Sequence, residues 1–461
     1  MGRLPSGFIS RAAGIVGGPF VFQDASAREM YGTDGTKHGS PADLVVLPGS
    51  TDEISQLAKL CNDERVPIVA RGAGTGYTGG AVPTRGGVVL SLERMNRILE
   101  IDRLNLLARV QPNVITGDLQ DAVEKVGLFY PPDPASLRQS ALGGNVAECA
   151  GGPRAFKYGT TKRYVLALEA VLASGEIIHT GSKAVKNVVG YDLTQLLVGS
   201  EGTLAIITEI TLRLIPKPSA RATLLAEFAG ISHAVDAVTQ LIQRRVVPAA
   251  VELVDGASLA ALAEHAGRPM ATPGTGAVLI IEVDGSIESV RPEILLVEEA
   301  CRAANAIMLK RAATDAERED LWHLRRELSP ALKKISSIKL NNDVVVPRGR
   351  VPELFALVKE IERESGLPIA SFGHAGDGNI HVNIMLPDES ARERGERAVR
   401  RLFEGVVALE GSISGEHGIG FTKAPYLHLE LSAEEIALMK RVKAAFDPNG
   451  ILNPGKIFPD G

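Results

Sequence analysis

The sequence has few cysteines and no long apolar run, and each absence excludes a class of protein. Its 461 residues include three cysteines, Cys61, Cys149 and Cys301, none in a Cys-x-x-Cys spacing. This pattern excludes a disulfide framework and an iron–sulfur cluster held by this chain alone, and it fits a reducing compartment. No apolar run reaches the ~18 residues of a membrane-spanning helix. The N-terminal run IVGGPFVF is too short and too broken by Gly and Pro to predict a signal peptide, but a targeting leader stays open because Arg3 and Arg11 occur there without acidic residues.

The chain also lacks an excess of charge of either sign. Lys and Arg number 50, Asp and Glu number 55, and the formal net charge is -5. Both signs are mixed along the chain, so neither a nucleic-acid stripe nor a polybasic membrane patch is present. A chain of this length exceeds the size at which one hydrophobic core keeps growing. We therefore expect two or more domains and a small-molecule partner.

A pair of prolines marks the predicted domain boundary. Pro216-Lys217-Pro218 follows the alternating run TLAIITEITLRLIP, and a strand cannot continue through two prolines. We place the boundary at Lys217, giving domains at 1–217 and 218–461. Beyond it, the predicted order of strand, helix, strand, strand, helix and strand is that of a ferredoxin-like β-α-β-β-α-β unit. The closing run DPNGILNPGKIFP has the turn residues of a loop that docks on the rest of the chain.

Two histidines flank an Asp-Gly pair in the segment FGHAGDGNIHVNIM. If Asp377-Gly378 forms a two-residue hairpin turn, His374 and His381 oppose each other on neighbouring strands, with Cβ atoms about 5 Å apart. Both rings could then bind one divalent metal, with Asn383 on the same face. A histidine beside a turn is otherwise a surface or core residue, which is the alternative interpretation. The residues between the polar ones are expected to point into a core: Ile380, Val382 and Ile384.

The segment SGEHGIG offers a carboxylate and a third imidazole. Glu416 and His417 are consecutive and cannot share a face of a regular strand, but the glycines around them allow the backbone to bend. Two histidines and one carboxylate leave coordination positions open, as in a catalytic rather than a structural metal site. We therefore predict a metal at His374, His381 and Glu416, with His417 facing the substrate.

Two glycine clusters predict close contact with a large ligand. RGAGTGYTGGA contains the Gly-x-Gly-x-x-Gly pattern, but Pro83 and paired glycines follow where a Rossmann fold requires a helix. We interpret this cluster as a nest of backbone N–H groups around a pyrophosphate, with Arg71 nearby. The second cluster, SALGGNVAECAGG, would let the backbone approach a flat ligand, and Asn145 adds an amide. Tight turns in a glycine-rich chain are the alternative interpretation.

Together these motifs resemble the FAD-linked oxidases of the vanillyl-alcohol oxidase and p-cresol methylhydroxylase (PCMH) fold, the family of the glycolate oxidase flavin subunit. The resemblance extends over nearly the whole chain, in the family's order: YGTDGTKHGSPADLVVLP, RGAGTGYTGGAVP, YPPDPAS, LGGNVAECAGG, YDLTQLLVGSEGTLAIITEI, FGHAGDGNIH, SGEHGIG and DPNGILNPGK. It implies an α+β protein with a PCMH-type FAD-binding domain at 1–217. An α+β substrate (cap) domain follows at 218–461, and its last stretch, about 425–461, returns to the FAD domain.

The resemblance implies non-covalent FAD, because the flavin loop has no His or Cys at the usual covalent position. The implied pyrophosphate loop comprises Arg71, Gly72, Gly74, Thr75, Gly76, Gly79 and Gly80. The second FAD segment comprises Asp133, Pro134, Ser136, Ser140, Gly143, Gly144, Asn145, Gly151 and Gly152. Near the adenosine half lie Glu201, Gly202, Ile206 and Ile207, and near the isoalloxazine lies Asn453.

Similarity to D-2-hydroxyglutarate and D-lactate dehydrogenases implies roles for the remaining motifs. A divalent ion, Zn, Mn or Fe, would be held by His374, His381 and Glu416, and His417 would be the catalytic base. The implied substrate residues are Arg325 in LWHLRRELS, Ser329, Asn341 and Asn383. From position alone, Arg325 is equally an ordinary helix-surface cation. In the hydroxyglutarate enzymes a family lysine binds the distal carboxylate of the substrate, and its position falls near Asn341 here. The lack of a positive charge at Asn341 favours a smaller acid than a dicarboxylate, although Lys339 is two positions away.

The implied activity is metal-assisted oxidation of a small 2-hydroxy acid, glycolate or D-lactate, to the 2-oxo acid, with the hydride passing to FAD and the proton to His417. Three alternatives stay open: a D-2-hydroxyglutarate dehydrogenase, a metallohydrolase without flavin, and a flavin-bearing subunit with a degenerate pocket. Electrons would leave to iron–sulfur and second flavin-domain subunits, an electron-transfer flavoprotein or a quinone. A homodimer also stays open. We expect a cytoplasmic protein that is peripheral to the membrane only through partners.

Overall fold

The computed structural model describes residues 4–36, 39–336 and 338–458. The chain divides into two compact units. The first unit comprises Met1–Gly151, Thr160–Lys217 and Glu416–Gly461, and the second comprises Gly152–Gly159 and Pro218–Gly415. The segment that returns to the first unit begins at Glu416 rather than near 425, so it includes His417.

The described residues form fifteen α-helices: α1 Phe8–Val16, α2 Ala25–Met30, α3 Thr51–Glu64, α4 Thr116–Glu124, α5 Leu142–Glu148, α6 Ala155–Tyr158, α7 Leu193–Leu197, α8 Ile231–Gln243, α9 Gly256–Ala266, α10 Ile287–Ala303, α11 Asp315–Ile335, α12 Val351–Ser365, α13 Arg392–Ala408, α14 Leu427–Glu430 and α15 Ala433–Phe446. In this part of the chain, no helix is long and apolar enough to cross a membrane.

Eighteen strands are found in the same described ranges: β1 Val21–Phe22, β2 Leu44–Val46, β3 Ile68–Arg71, β4 Val88–Ser91, β5 Ile98–Asp102, β6 Leu107–Val110, β7 Leu128–Phe129, β8 Val165–Val171, β9 Ile177–Gly181, β10 Ile206–Arg213, β11 Ile215–Pro216, β12 Ala220–Phe228, β13 Ala250–Asp255, β14 Ala277–Gly285, β15 Met308–Arg311, β16 Ile338–Val345, β17 Ile369–His374 and β18 Asn379–Leu386.

The first unit contains a four-stranded sheet, β1-β2-β4-β3, and a five-stranded sheet, β5-β6-β10-β8-β9. Helix α3 packs its apolar face, including Leu57, against Ile68 and Leu90 of the first sheet. The closing segment of the chain docks on this sheet, because Leu452 bridges to Ile68 and the Asn453 N–H donates to the Ile68 carbonyl at 2.7 Å. The prediction of a docking C-terminal loop is confirmed.

The second unit is built on one antiparallel seven-stranded sheet, ordered β15-β12-β14-β13-β17-β18-β16. The elements β12, α8, β13, β14, α10 and β15 occur in the predicted β-α-β-β-α-β order. Helix α9, between β13 and β14, was not predicted. Strands β17, β18 and β16 extend the same sheet, so both histidines of the FGHAGDGNIHVNIM segment lie within it. Helices α9 and α11 pack on one face through a core that includes Leu262, Leu328 and Phe372.

Candidate active site

The two histidines of the second unit share one face of the sheet, but through a different hairpin from the predicted one. Four residues, 375–378, connect β17 to β18, and the register pairs His374 with Asn379 and Phe372 with His381. The predicted direct opposition of His374 and His381 is therefore wrong. The pairing differs by two residues, which preserves the face because side chains alternate with period two. The ring centroids lie 5.4 Å apart, so both rings can reach one ion.

The wider turn has a local cause. Gly378 adopts φ +84° and its N–H donates to the His374 carbonyl at 3.1 Å, which closes a longer turn than the Asp-Gly pair suggested. On the other side of β18, the expected core residues are fully buried, as predicted: Ile380, Val382 and Ile384.

A buried carboxylate stands behind each histidine. Glu252 Oε1 accepts from His374 Nδ1 at 2.5 Å, and Asp343 Oδ1 lies 3.9 Å from His381 Nδ1. Burial alone would raise the pKa of Glu252, but the charges and hydrogen bonds of His374 and Arg325 lower it to about 2. Glu252 is therefore ionised and can only accept, so Nδ1 of His374 carries the proton. When this ring is neutral, Nε2 is the nitrogen with the lone pair that a metal would need.

Arg325 points from α11 toward the sheet. Its side chain is 11% exposed, and its Nε donates to Glu252 Oε2 at 2.5 Å. The guanidinium carbon lies 4.6 Å from the centroid of the Phe372 ring. The interpretation of Arg325 as a helix-surface cation is therefore wrong. Among the described residues its terminal nitrogens have no hydrogen-bond partner, which leaves its two-pronged end available to an anion.

Asn341 and Asn383 oppose each other on β16 and β18, on the histidine face. The Asn341 Nδ2 donates to the Asn383 Oδ1 at 2.7 Å. The Asn383 Nδ2 in turn donates to the carbonyls of Ala370 and His381, so its amide N–H groups are used within the protein. The Oδ1 of Asn341 is buried and lacks a partner in the described part of the chain. Of the two, Asn341 is the better substrate candidate.

Lys339 is a candidate that the sequence analysis noted without assigning a role. It precedes Asn341 by two residues on β16, so alternation places it on the same face. Its Nζ donates to the Ser329 Oγ on α11 at 3.2 Å. Burial lowers the pKa of Lys339 to about 8. The face that carries the histidines thus also carries a desolvated ammonium, held by the predicted substrate residue Ser329.

In the first unit, the first glycine cluster forms an extended loop from the end of β3 to β4, and no helix follows β3. The Rossmann interpretation is thereby excluded. Asp34 Oδ2 accepts from the Gly79 N–H at 2.8 Å, and the Gly35 N–H donates to the Gly76 carbonyl at 2.9 Å. These bonds hold the loop in one shape. Arg71, at the end of β3, is anchored by a 2.6 Å bond to the Thr33 carbonyl.

The two glycine clusters border space that no protein side chain fills. A Cβ added at Gly76 or Gly144 would meet no heavy atom within 4 Å, whereas one added at Gly72 would meet the Cβ of Ala141 at 3.2 Å. The buried Oδ1 of Asn113 has no partner among the described residues, and it would lie 3.8 Å from the same added Cβ of Gly72. Open backbone with an unused acceptor beside it fits a polar cofactor such as FAD. Asn113 lies outside both clusters, and no sequence signal marked it.

All the other predicted FAD residues lie in the first unit except Gly152, which belongs to the second. The Asn145 Nδ2 donates to the Thr116 Oγ1 at 2.6 Å and so supports the loop internally. Asn453 donates to the carbonyls of Gly80 and Glu201. The remaining predicted residues lie before α5 (Asp133, Pro134, Ser136 and Ser140), in its first turn (Gly143), after its end (Gly151), before β10 (Gly202) and at the start of β10 (Ile206 and Ile207).

Glu416 and His417 lie against these clusters within the first unit. The Tyr77 ring stacks on the His417 imidazole with centroids 5.4 Å apart, and the Thr78 Oγ1 donates to the His417 carbonyl at 2.9 Å. A Cβ at Gly151 would come 2.7 Å from the Glu416 Oε2, so a glycine is needed there. The first cluster therefore positions the imidazole, and the second leaves room for the carboxylate.

Two buried carboxylates, Glu148 and Glu201, lie beside the loop that follows His417, and no sequence pattern indicated that they interact. Glu201 accepts from the backbone N–H groups of Ile419 and Gly420, both at 2.7 Å. The Oε2 of Glu148 is buried without a partner in the described ranges. Burial and the neighbouring Glu201 charge raise the pKa of Glu148 well above its usual range. Burial also raises the pKa of Glu201, but its two N–H donors favour its ionised form. Glu148 is therefore the protonated member.

Replacing Glu148 by glutamine should flatten the pH dependence of stability. Folded Glu148 keeps its proton above the unfolded pKa of about 4.3, so the free energy of unfolding falls as the pH rises from there toward the folded pKa. In Glu148→Gln the loss as the pH rises above about 4.3 should be smaller, as thermal or denaturant unfolding would measure. Glu176→Gln, at an exposed turn of the same unit, is the control. Parallel curves for wild type and Glu148→Gln would contradict the assignment.

Comparison with known proteins agrees with this geometry. Residues 42–181 match the family model described as FAD binding domain, and residues 217–457 match that of FAD linked oxidases, C-terminal domain. The fold resembles solved structures of p-cresol methylhydroxylase with substrate bound (TM-score 0.82, 19% identity, 98% of this chain and 96% of that one) and alkyldihydroxyacetonephosphate synthase (TM-score 0.76, 21% identity, 98% and 86%). The predicted PCMH-type fold is confirmed.

Three curated relatives are similar over most of their length. The glycolate oxidase subunit GlcD of Bacillus subtilis (strain 168) is 45% identical, covering 96% of this chain and 95% of the relative. A D-lactate dehydrogenase of Anaerostipes hadrus is 38% identical (90% and 89%), and a D-2-hydroxyglutarate dehydrogenase of Stutzerimonas stutzeri (strain A1501) is 36% identical (95% and 96%). With both halves matched by family models and relatives similar over nearly their full length, the chain belongs to the family of FAD-linked oxidases.

Proposed function

We propose that this protein oxidises a small 2-hydroxy acid, glycolate or D-lactate, to the 2-oxo acid with bound FAD. The observation that carries the proposal is the sheet face of the second unit that bears His374 and His381, which we call the histidine face. The terminal nitrogens of Arg325, from α11, are also available on this face. Such a face suits a substrate with a hydroxyl and a carboxylate on adjacent carbons. The glycine clusters of the first unit and the full-length similarity to 2-hydroxy-acid enzymes support it.

His374, His381 and Glu416 are the proposed ligands of a divalent ion, Zn, Mn or Fe. The donor set fits, because Glu252 occupies Nδ1 of His374 and leaves Nε2 for coordination. Glu416 directly follows Gly415, whose N–H donates to the Asp343 Oδ2 at 2.9 Å, and Asp343 opposes His381 in the sheet. A divalent ion bound there would polarise the substrate hydroxyl as a Lewis acid.

Each remaining task is assigned to residues of the chain. Arg325 binds the carboxylate with its two terminal nitrogens, and Asn341 donates to a substrate oxygen through the N–H of its Nδ2 that is not bonded to Asn383. His417 takes the hydroxyl proton, held by the stacked Tyr77 and by the bond from Thr78 to its carbonyl. Bound FAD supplies the acceptor for the hydride from the α-carbon.

A metallohydrolase without flavin is not favoured, because such an enzyme would not need an FAD-binding domain. The glycine clusters with open backbone lie before the proposed metal ligands in the sequence, and so does the match to the FAD binding domain. The absence of a lysine at Asn341 is a weaker argument for a small acid than the sequence suggested. Lys339 places an ammonium on the same face, so a dicarboxylic 2-hydroxy acid is a necessary comparison in any assay.

Electrons are proposed to leave the flavin for a separate protein or a quinone. The three cysteines do not form an iron–sulfur site, and the structure leaves Cys61 and Cys301 buried. The Bacillus relative is named as a subunit, which supports a partner subunit for this chain. Iron–sulfur and second flavin-domain subunits are the proposed partners, and an electron-transfer flavoprotein is the other candidate. We also propose that the protein acts in the cytoplasm.

The test is a steady-state assay with an artificial electron-accepting dye. Glycolate, both lactate enantiomers and both 2-hydroxyglutarate enantiomers would be compared by kcat/KM. We expect the highest value with glycolate or D-lactate. Flavin-containing protein that oxidises none of these acids would overturn the proposed function.

Replacing Arg325 by lysine should raise KM and lower kcat/KM. A lysine cannot offer two parallel N–H donors, and losing a charge-assisted hydrogen bond costs about 1.5–3 kcal/mol, or roughly 10–150-fold in kcat/KM. Arg326→Lys is the matched control, since the neighbouring Arg326 is 48% exposed and pairs with Glu319. Equal kinetics for the two variants would remove Arg325 from the substrate site.

A further inference from the structure

One buried carboxylate contacts both the proposed metal ligand and the proposed substrate ligand. Glu252 lies on β13 directly opposite His374 of β17, and its side chain is fully buried. Its Oε1 accepts from His374 Nδ1, and its Oε2 accepts from Arg325 Nε, each at 2.5 Å. No motif in the sequence marked this residue, because its partners are 122 and 73 positions away.

We infer that Glu252 is a positioning residue that sets the orientation of the metal ligand His374 and of the substrate ligand Arg325 together. This inference rests on the proposed function. The bond to Nδ1 selects the tautomer of His374 and turns Nε2 away from the carboxylate. The bond to Nε turns the two terminal nitrogens of Arg325 away from it as well. The Glu252 carboxylate thus sets the orientation of both the His374 imidazole and the Arg325 guanidinium.

Glutamine cannot replace Glu252 in this role. Both neighbours donate to it, and a glutamine offers one acceptor oxygen and one donor NH₂ group. Whichever way the amide turns, its NH₂ group faces an N–H of either His374 or Arg325. Glu252→Gln therefore keeps the shape of the side chain but must break one bond, and the amide weakens the other because it carries no charge.

A matched control lies on the neighbouring strand. Glu282 of β14 is also buried and lies on the same sheet face, since it opposes Ala250 and Ala250 is two residues before Glu252. Its carboxylate accepts from the Thr223 hydroxyl and the Trp322 indole N–H, and no histidine or arginine among the described residues is bonded to it. Glu282→Gln reports the cost of neutralising a buried carboxylate in this core without touching the proposed site.

The experiment measures two dissociation constants on FAD-loaded protein. The first is that of Zn²⁺, by competition with a chromogenic chelator. The second is that of 2-hydroxyisobutyrate at saturating Zn²⁺, followed by the flavin absorbance; this acid has no α-hydrogen and cannot be oxidised. In Glu252→Gln we expect Zn²⁺ to bind about 10–100-fold more weakly and the acid at least about 10-fold more weakly. In Glu282→Gln both constants should stay within about twofold of wild type.

Two results would overturn the inference: both constants unchanged in Glu252→Gln, or only one of them changed. If Glu252→Gln does not fold, Glu252→Asp replaces it, since it keeps the charge but draws the carboxylate back by one methylene. The same weakening of both constants is expected for that variant. Neither measurement requires turnover, so a wild type that binds Zn²⁺ and the acid but oxidises no substrate would disprove the proposed function separately.

Discussion

Replacing His417 by alanine is expected to lower kcat by about 10²–10⁴-fold and to leave the visible absorbance of bound FAD unchanged. The substrate hydroxyl would lose its proton acceptor, while the glycine clusters that border the proposed cofactor space stay intact. Removing the ring also removes the stack with Tyr77, but the bond from Thr78 goes to the backbone carbonyl and survives. Stopped-flow reduction of the flavin would measure the chemical step directly.

His428→Ala is the control for His417→Ala. His428 is exposed on α14 of the same unit and lies outside the proposed site. It should behave as wild type in both turnover and flavin content. Near-normal turnover in His417→Ala would assign proton removal to another group, and loss of FAD from that variant would make His417 a cofactor residue instead.

Removing the divalent ion should produce the second large loss. Lewis-acid polarisation of the hydroxyl contributes several kcal/mol, so a chelator should lower activity at least about 100-fold, and added Zn²⁺, Mn²⁺ or Fe²⁺ should restore it. His381→Ala should show the same loss without rescue by added ion, because a ligand is missing.

The matched control for His381→Ala is His265→Ala. His265 belongs to the same unit, pairs with Glu327 at 3.2 Å and is not one of the proposed metal ligands. It should keep its activity and its response to the chelator. Full activity of chelator-treated, metal-free wild type would reduce His374 and His381 to direct substrate ligands.

The sequence predicted the shared sheet face of His374 and His381 correctly and their register wrongly. The local pattern was enough to predict that both histidines lie on one face, because side chains alternate with a period of two and a register shift of two residues leaves the face unchanged. The register itself was wrong, since the Asp-Gly pair favours a two-residue turn and the chain forms a four-residue one. The resemblance, carried by long motifs in the family's order, supplied the fold that the comparisons confirm.

The residues that the sequence could not assign are those whose role depends on distant partners. Glu252 acquires its role only when β13 pairs with β17 and α11 packs on the sheet. Glu148 and Glu201 are 53 positions apart and interact because the Glu201 N–H donates to the Ala147 carbonyl of α5 at 2.8 Å. The sequence did not show that Lys339 is buried. Alternation along β16, which puts Lys339 on the same face as Asn341, was the signal that could have predicted its position.

We propose that flavin on this chain takes a hydride from the α-carbon of a 2-hydroxy acid. Rapid anaerobic mixing of the flavin-containing protein with glycolate, and separately with glycolate deuterated at the α-carbon, tests it most directly. We expect the visible absorbance of the flavin to bleach and deuteration to slow the bleaching. The same comparison would be made with D-lactate. A flavin that stays oxidised with both acids, or that bleaches at the same rate with the deuterated acid, would contradict hydride transfer as the bleaching step.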